Sequence, residues 1–529
     1  MKKLSYIFIF MLACLAFWAC GDEFLNRIPE GELTVDSYYK SEKELRQATA
    51  PLYNVAWFQY NDKAAIGLGD AMGGNIIGKW TTNLFMFYRF TVTSLNSDLA
   101  NAWKAFYRVV DQSNFVIYNI NTYSSGVTED QKNLAIGEAR FMRANAYFYL
   151  VRLWGPVMII EDTNKLITDF KVPLNPVEDV YKFIIRDLMY SIKHLKKTDD
   201  PGRVTQWSAK GMLAKVYLSY SGYGQDGARK QELLDSAAYY AGDVCKNSGL
   251  VLHPVYKELF MTQHENTPET LFALQWVYGT WGAQNTFQAY YAYSSEITGC
   301  TDGWGGGCGP SYNLAAEFAR EPNDTLRRNA TMFIQGNYYP EINKKAGGTT
   351  FVLTNPKIKK YIIGTPDDND GNVATMQTGI NSYILRLSDV YLMYAEALLG
   401  NNATTNDADA LKYFNKVRTR AGLQPKTALT WDDIFHERRV ELGLEAQLWY
   451  DIVRWHYYQP TQSESFIASQ NRDYDFTWDK TTGLVLSTTK PDPEITVPAN
   501  IYLPIPEGDA VQNPLLSEPP VPYTFSNEE

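Results

Sequence analysis

Histidine and cysteine are scarce in this sequence, with five of each among 529 residues. Metal and acid–base centres draw heavily on these side chains, and no HExxH, GxSxG, Walker or CxxC motif occurs. His436 and His456 are 20 positions apart, a separation without metal-ligand spacing. We therefore expect no catalytic residue, no resident metal and no cofactor.

Basic residues are also in deficit. The 49 Lys and Arg are outnumbered by 59 Asp and Glu, which gives a formal net charge of −10. Because a phosphate backbone requires a basic face, this balance excludes nucleic acid as the expected partner. It likewise argues against adhesion to an anionic lipid surface by charge alone.

Long apolar runs are absent after the N-terminus, where two lysines precede a nearly unbroken apolar stretch from Leu4 to Trp18. This run is too short for a membrane-spanning helix and predicts a secretory signal. It ends with a small residue before Cys20, as a lipoprotein signal does, so we expect cleavage after residue 19 and lipid attachment at Cys20. Cys14 is a rival anchor that would leave a very short signal, and a plain secreted protein is the alternative.

Helical periodicity marks most of the remaining chain. Capping-box patterns occur at residues 41–44, 128–131 and 430–433, and Gly155 with Pro156 ends the second helix. Apolar residues at steps of three and four, with small residues such as Ala139 and Ala146, predict paired helices that approach closely. Such pairs resemble tetratricopeptide (TPR) units. The predicted helices are Val180 to Leu195, Ala209 to Tyr220, Leu233 to Cys245, Ile384 to Leu398, Leu411 to Ala421 and Thr430 toward Trp455.

Two regions lack this periodicity. Residues 251–380 are rich in Gly, Asn, Thr and aromatics, and the segment after residue 460 is irregular and proline-rich, with one alternating stretch from Gly483 to Thr488 that favours a short strand. We expect a signal at 1–19 and one fused domain at 20–529. Its helical scaffold would comprise 20–250 and 381–460, its loop-rich insertion 251–380, and its irregular C-terminal segment 461–529.

Four blocks resemble the SusD/RagB family of Bacteroidetes outer-membrane proteins. They are residues 20–29 (CGDEFLNRIP), 139–157 (ARFMRANAYFYLVRLWGPV), a group at 385–397, 417–423, 437–442 and 449–455 (LRLSDVYLMYAEA, VRTRAGL, ERRVEL and WYDIVRW), and YLPIP at 502–506 followed by Asn513-Pro514. The acidic residues after Cys20 also resemble the tag of surface-exposed lipoproteins. The blocks are spread over nearly the whole chain, which makes the resemblance specific.

The resemblance implies an all-α fold of four TPR-like pairs in a superhelix, with minor β structure and a loop-rich ligand-binding insertion. It implies a glycan-binding lipoprotein, anchored to the outer membrane and facing the cell exterior, that delivers its ligand to a SusC-like TonB-dependent transporter. It also implies no catalysis. Peptide binding of the RagB type, a TPR scaffold that binds only protein, and a hydrolase are the alternatives.

Charged clusters in the matched blocks admit two interpretations. Arg140, Arg143 and Arg152 lie on one predicted helix, and ERRVEL at 437–442 places mixed charges at short spacing. Glycoside hydrolysis needs two carboxyl groups flanking a cleft, whereas acids among arginines on a scaffold helix favour a buried ion-pair network. The stretch Asp367 to Asp370 resembles a calcium loop, but its first ligand position falls on a proline, so we expect an acidic turn rather than a structural cation.

A glycan site needs flat aromatic faces and polar groups around them. The insertion supplies both, and Gly residues beside Trp304 predict a loop that presents its indole. Cys300 and Cys308 could close a small disulfide around that loop or remain two thiols. Trp154, Trp449 and Trp455 lie in scaffold motifs and are assigned to the core. The candidate ligand-binding residues are Trp304, Trp281, Trp276, Trp80, Tyr290, Tyr291, Asn285 and Asn75.

Overall fold

The computed structural model describes residues 38–79, 81–163, 166, 170–472, 475–486, 497–498 and 500–525. The described α-helices are, in chain order, α1 (Glu42–Thr49), α2 (Thr82–Arg89), α3 (Ser97–Tyr123), α4 (Glu129–Trp154), α5 (Val177–His194), α6 (Gln206–Tyr220), α7 (Gln231–Asn247), α8 (Phe287–Tyr291), α9 (Ser295–Thr298), α10 (Tyr312–Ala319), α11 (Thr325–Thr331), α12 (Leu387–Leu399), α13 (Ala408–Arg420), α14 (Trp431–Glu441), α15 (Leu448–His456), α16 (Pro460–Ser469) and α17 (Glu507–Gln512).

Side-chain caps start several of these helices where the sequence predicts them. The hydroxyl of Ser41 accepts from the backbone N–H of Glu44 at the start of α1. Thr128 and Gln131 form a full capping box at the start of α4. That helix ends at Gly155, whose φ of 72° suits a residue without a Cβ. The two boundaries of α4 are therefore confirmed.

The long helices form a continuous stack of hairpins. Each of α3 to α6 packs on the next helix along the chain, α7 then packs on α12, and α12 packs on α13. Small residues allow the close crossings, since a Cβ at Gly242 of α7 would lie 3.0 Å from the ring of Tyr394 on α12. The stack therefore continues across the inserted region, and the expected mostly helical, TPR-like fold is confirmed.

Three features differ from the prediction. The helix expected from Thr430 toward Trp455 is two helices, because the intervening loop takes positive φ at Leu444 and Ala446 and the buried carboxylate of Asp70 accepts from the Ala446 N–H at 2.9 Å. Ile384 lies in a strand rather than in α12. The longest helix, α3, was not predicted, although its buried residues recur at steps of three and four.

Six small antiparallel pairs of strands decorate the stack within the described residues. They are β1 (Ile76–Gly78) with β3 (Cys308–Pro310), β2 (Thr270–Leu274) with β10 (Ser382–Arg386), β4 (Met332–Phe333) with β7 (Lys357–Ile358), β5 (Tyr338–Tyr339) with β6 (Thr349–Thr350), β8 (Val373–Ala374) with β9 (Gln377–Thr378), and β11 (Phe476–Asp479) with β12 (Gly483–Leu486). The β1–β3 pair, in which Gly78 lies opposite Cys308, joins the N-terminal region to the insertion. The expected strand near residue 483 is confirmed.

The chain between α1 and β1 turns in unusual helical geometry. Tyr60–Ala64 and Ile66–Ala71 are both π-helical. Single-turn π segments are often found at functional sites, because they alter the direction of side chains along a helix. Here the segment leads Asp62 and Lys63 toward the inserted region, where the Thr286 hydroxyl donates to the Asp62 carbonyl at 3.1 Å.

Candidate functional site

Two of the predicted tryptophans present their rings to solvent. Trp281 is 65% exposed and Trp304 is 43% exposed. A large exposed aromatic ring costs free energy in water unless a partner covers it, so an exposed indole pair is an informative feature. Both rings lie on the inserted region between α7 and α12.

Trp281 stands at the tip of a tight loop. The Val277 N–H donates to the Ala283 carbonyl at 2.7 Å and closes this loop. Gly279 and Gly282 flank the indole with φ of 86° each, a conformation that other residues rarely adopt. The local sequence therefore fixes the loop while leaving its Trp outside the core.

Phe58 supports the Trp281 ring from below. The two ring centroids are 5.8 Å apart in an edge arrangement. Phe58 also contacts the buried Trp276 at 6.4 Å, and the Trp276 indole N–H donates to the Ser382 hydroxyl at 3.0 Å. Trp281 thus rests on Phe58, and Phe58 in turn contacts Trp276, which is anchored to β10.

Trp304 is positioned by glycines that pack closely. A Cβ at Gly303 would lie 2.4 Å from the backbone of Ser294, and one at Gly305 would lie 2.2 Å from the carbonyl of Tyr291. Backbone hydrogen bonds, including Trp304 N–H to the Ala289 carbonyl at 2.9 Å, hold the segment in place. These two positions are glycine because the neighbouring backbone lies too close for any Cβ.

Tyr290 connects Asp62 and Lys63 to the indole of Trp304. The Tyr290 hydroxyl donates to the Asp62 carboxylate at 3.0 Å, and the Lys63 ammonium lies 5.5 Å from the Tyr290 ring centroid. The rings of Tyr290 and Trp304 are 6.0 Å apart. We call the residues Trp281, Phe58, Asp62, Lys63 and Trp304 the indole surface.

Two groups beside the indole surface, Tyr290 and Asp98, have raised pKa values. Burial, followed by the charge of Asp62, raises the pKa of Tyr290 above its ordinary value, so the phenol remains a hydrogen-bond donor. Nearby Asp98 is buried, which raises its pKa, while the charge of Lys63 opposes that rise. The surface therefore combines two apolar faces with one acid and one base.

Five predicted site residues are buried and cannot offer a face to a ligand. The Asn285 amide donates to the Ile380 carbonyl and the Ser382 hydroxyl at 2.7 and 3.0 Å. Asn75 donates to the Asp70 carboxylate at 3.0 Å. Their polar groups serve the folding of loops, and aromatic rings from the same stretch fill the core. The five buried residues are Trp276, Tyr290, Tyr291, Asn285 and Asn75.

Of the two alternatives for the cysteines of the Trp304 loop, a disulfide or two thiols, the structure shows two thiols. Cys300 and Cys308, both in the described part of the chain, are not joined by a disulfide. Cys308 is buried in β3 opposite Gly78, whereas Cys300 is half-buried just after α9. Close packing at the glycines, rather than a covalent link, fixes the loop. Trp80 and the predicted anchor Cys20 lie outside the described residues.

Phe58, Asp62 and Lys63 were missed by sequence reasoning. They lie about 190 positions before the insertion begins, and only the fold brings them to it. The available signal was the stretch FQYNDK at 58–63, which alternates aromatic and polar residues beyond the first predicted helix. Such a stretch fits an interface better than a scaffold helix.

The acids that could have been catalytic are ion-paired. Glu437 lies 2.6 Å from Arg327, and Glu441 lies 2.9 Å from Arg386. Burial alone would raise the pKa of Glu441, but the charges of Arg420, Arg386 and Arg327 hold it well below its ordinary value. A general acid needs the opposite shift. The buried ion-pair network is confirmed.

The same pattern extends through the helices. Arg143 binds Asp187 through two hydrogen bonds of 2.7 and 2.8 Å, and Arg438 contacts Asp389 at 2.6 Å. His436 accepts or donates at Glu317, 2.6 Å away. The charged residues in and beside the matched blocks therefore hold helices together.

The acidic turn at Asp367 to Asp370 is organised by the protein itself. The Asp368 carboxylate accepts from the backbone N–H groups of Asn343, Lys344 and Thr365 at 2.7 to 2.9 Å. Asp367 pairs with Lys345 at 3.1 Å. These donors occupy the oxygens that a cation would need.

Within the described ranges, no helix combines the length and apolar character needed to cross a membrane. The described chain is a stack of helical hairpins with an exposed indole pair around polar side chains. This combination defines a helical-repeat protein with a candidate binding surface.

Comparison with known proteins gives the family. Residues 275–521 match the model of the SusD family, and residues 23–218 match a model described as starch-binding associating with outer membrane. A SusD-like protein of Bacteroides ovatus is 45% identical over 99% of both chains. The chain belongs to the SusD family.

Solved structures agree with this assignment. A crystal structure with xylogluco-oligosaccharide is 45% identical, covers 91% of this chain and 100% of its own, and has a TM-score of 0.86. A laminarin-binding SusD-like protein is 21% identical, covers 90% of this chain and 98% of its own, and has a TM-score of 0.68. The second likeness shows the shared fold.

Proposed function

We propose that this protein binds an oligosaccharide on the indole surface, as a glycan-capturing member of the SusD family. The observation that carries the proposal is the pair of exposed indoles, Trp281 and Trp304, with Asp62 and Lys63 beside the Tyr290 ring that contacts Trp304. A sugar ring exposes a C–H face and a rim of hydroxyls. The indoles suit the face, and the acid and base suit the rim.

We infer a xyloglucan-type oligosaccharide as the first ligand to test. The crystal structure with xylogluco-oligosaccharide, at 45% identity and a TM-score of 0.86, supports this choice. The likeness covers 91% of this chain and 100% of that chain.

We further propose that the protein acts without cleaving its ligand and passes it to a TonB-dependent transporter. The charge pairing of Glu437 and Glu441 supports a binding role, because neither acid is set up to protonate a leaving group. The predicted lipid at Cys20 would hold the protein at the outer membrane. Confinement there would raise the effective ligand concentration at the transporter even for weak binding.

Calorimetric titration tests the binding proposal. The full-length chain is titrated with a xyloglucan oligosaccharide series, and with laminarin oligosaccharides and a mixed peptide library in parallel. We expect saturable heat with the xyloglucan series that grows with chain length and disappears in Trp281→Ala/Trp304→Ala. Binding only by peptides would overturn the glycan assignment. Release of reducing ends during long incubation would overturn the non-catalytic one.

Co-purification tests the transporter proposal. The native protein is isolated from membranes in mild detergent, and a Cys20→Ala strain serves as control. We expect a TonB-dependent transporter in the native sample. Its absence from crosslinked native membranes would refute the proposal without touching glycan binding.

A further inference from the structure

We propose that His253, Glu258 and His264 form a binding site for one divalent transition-metal ion of the zinc type. The three side chains each offer one ligand atom, and these atoms all lie within 4.8 Å of one another. Two of the protein's five histidines therefore meet on a single carboxylate. This set is separate from every residue of the indole surface.

The distances bring both histidines close to one carboxylate oxygen. His253 Nε2 lies 2.7 Å from Glu258 Oε2, and His264 Nδ1 lies 3.8 Å from the same oxygen. A hydrogen bond accounts for the first histidine only, because 3.8 Å is too long for one. Tetrahedral zinc with bonds of 2.0–2.2 Å needs ligand atoms about 3.4 Å apart, so the His253–Glu258 pair would open by roughly 0.7 Å and the His264–Glu258 pair would close by roughly 0.4 Å.

Rigid backbone holds all three ligands. The His253 N–H donates to the buried Glu269 carboxylate at 2.8 Å, and Glu269 is fixed by Arg420 at 2.6 Å. Glu258 lies on the 3₁₀ turn Tyr256–Phe260, whose Tyr256 and Phe260 are buried. Ligands on fixed elements lose little entropy on binding a metal.

The third ligand is anchored separately. His264 ends the 3₁₀ turn Thr262–His264, and the Thr262 hydroxyl donates to Asn369 at 2.9 Å. The His253 and His264 rings are 5.6 Å apart and inclined by 52°, so both can direct a nitrogen at the space beside Glu258. An ion here would join two turns of the inserted region.

The chemistry of the donors selects the ion. Two imidazole nitrogens and one carboxylate are a set that zinc and its first-row neighbours prefer, while calcium and magnesium prefer oxygen ligands alone. The side chains of His253, Glu258 and His264 are 15, 28 and 38% exposed. This exposure leaves water access for a fourth ligand.

Zinc titration of the full-length, untagged chain after EDTA treatment tests the site. We expect one zinc ion per chain, no saturable calcium binding, and a higher melting temperature with zinc than with EDTA. His253→Ala and His264→Ala should each weaken zinc binding by at least about tenfold. His456→Ala is the matched control, because His456 on α15 lies by Ser463 at 3.1 Å, and it should bind zinc like the native chain.

Two results would overturn the site. One is no saturable zinc binding by the native chain. The other is native stoichiometry and affinity in His253→Ala/His264→Ala, which would place the zinc elsewhere. If an alanine variant unfolds in EDTA, Glu258→Gln decides, since the amide keeps the shape and a hydrogen bond to His253 but not the charge that a metal needs.

Discussion

Removing each exposed indole in turn should lower the glycan affinity, and the loss should be larger for the ring that is more exposed. Trp281 is 65% exposed, which leaves roughly 160 Å² of a surface of about 250 Å² open to solvent. A sugar that covers one face removes about 80 Å² from water, and at ~25 cal/mol per Å² this contributes about 2 kcal/mol. Trp281→Ala should therefore raise the dissociation constant about 30-fold.

The smaller exposure of Trp304 predicts a smaller effect. At 43% exposed, half of its open area is roughly 55 Å², or about 1.3 kcal/mol, which is close to tenfold in affinity. If the two rings contact different sugar units, the losses add to about 3.3 kcal/mol in the double variant, roughly 250-fold. Calorimetry with a xyloglucan oligosaccharide long enough to reach both rings measures all three values.

The control for this series is Tyr239→Ala. Tyr239 is 69% exposed on α7, so it matches the indoles in exposure but belongs to the helical stack. We expect native affinity in this variant. Native affinity in both tryptophan variants would refute the stacking argument, and a loss as large in Tyr239→Ala would show that exposed aromatic area in general, rather than the indole surface, governs binding.

The remaining predictions concern the loop and the buried acids. Gly303→Ala should lower glycan affinity by displacing the loop of Trp304, because its Cβ would meet backbone at 2.4 Å, whereas Gly306→Ala, with open space around it, should bind like the native chain in the same titration. Burial alone would raise the pKa of Glu396, but two arginine charges lower it to about 2. The stability that Glu396 contributes should therefore be present above pH 4.5 and be lost as the pH falls toward 2, and Glu396→Gln should flatten the melting temperature across that window. Burial raises the pKa of Glu265 to about 8, so its contribution is present below pH 4.5 and lost as the pH rises to 8. Glu265→Gln should then melt higher than the native chain at pH 9 but not at pH 4, and an equal melting temperature at pH 9 would contradict the raised pKa.

The helical scaffold was accessible from sequence because its signals are local. The Thr128 capping box and Gly155 mark both ends of α4 without reference to the rest of the chain. The break between α14 and α15 was not accessible, because it depends on Asp70, a carboxylate nearly 380 positions away that takes the N–H of Ala446. Local patterns predict helix ends, while breaks caused by tertiary hydrogen bonds cannot be predicted from the neighbouring residues.

The candidate site was likewise predicted only in part. Glycines beside Trp304 indicated a loop that presents its indole, and the indoles of Trp304 and Trp281 are both exposed. Composition could not separate these rings from Trp276 and Tyr291, which share the same stretch yet lie in the core. Nor could it indicate Phe58 as the support of Trp281, since that contact exists only after the segment that follows α1 and the insertion are brought together.

The contact between α7 and α12 also has a consequence for how the chain acquires its shape. About 140 residues separate Asn247 from Leu387, so this contact requires closure of a loop far longer than any hairpin turn. Relative to a ten-residue connection, the entropic cost of that closure is about 2 kcal/mol greater. The hairpins from α3 to α7 connect residues close in sequence, so they should fold early. The later helices should dock in a slower step, because that step must first close the whole insertion.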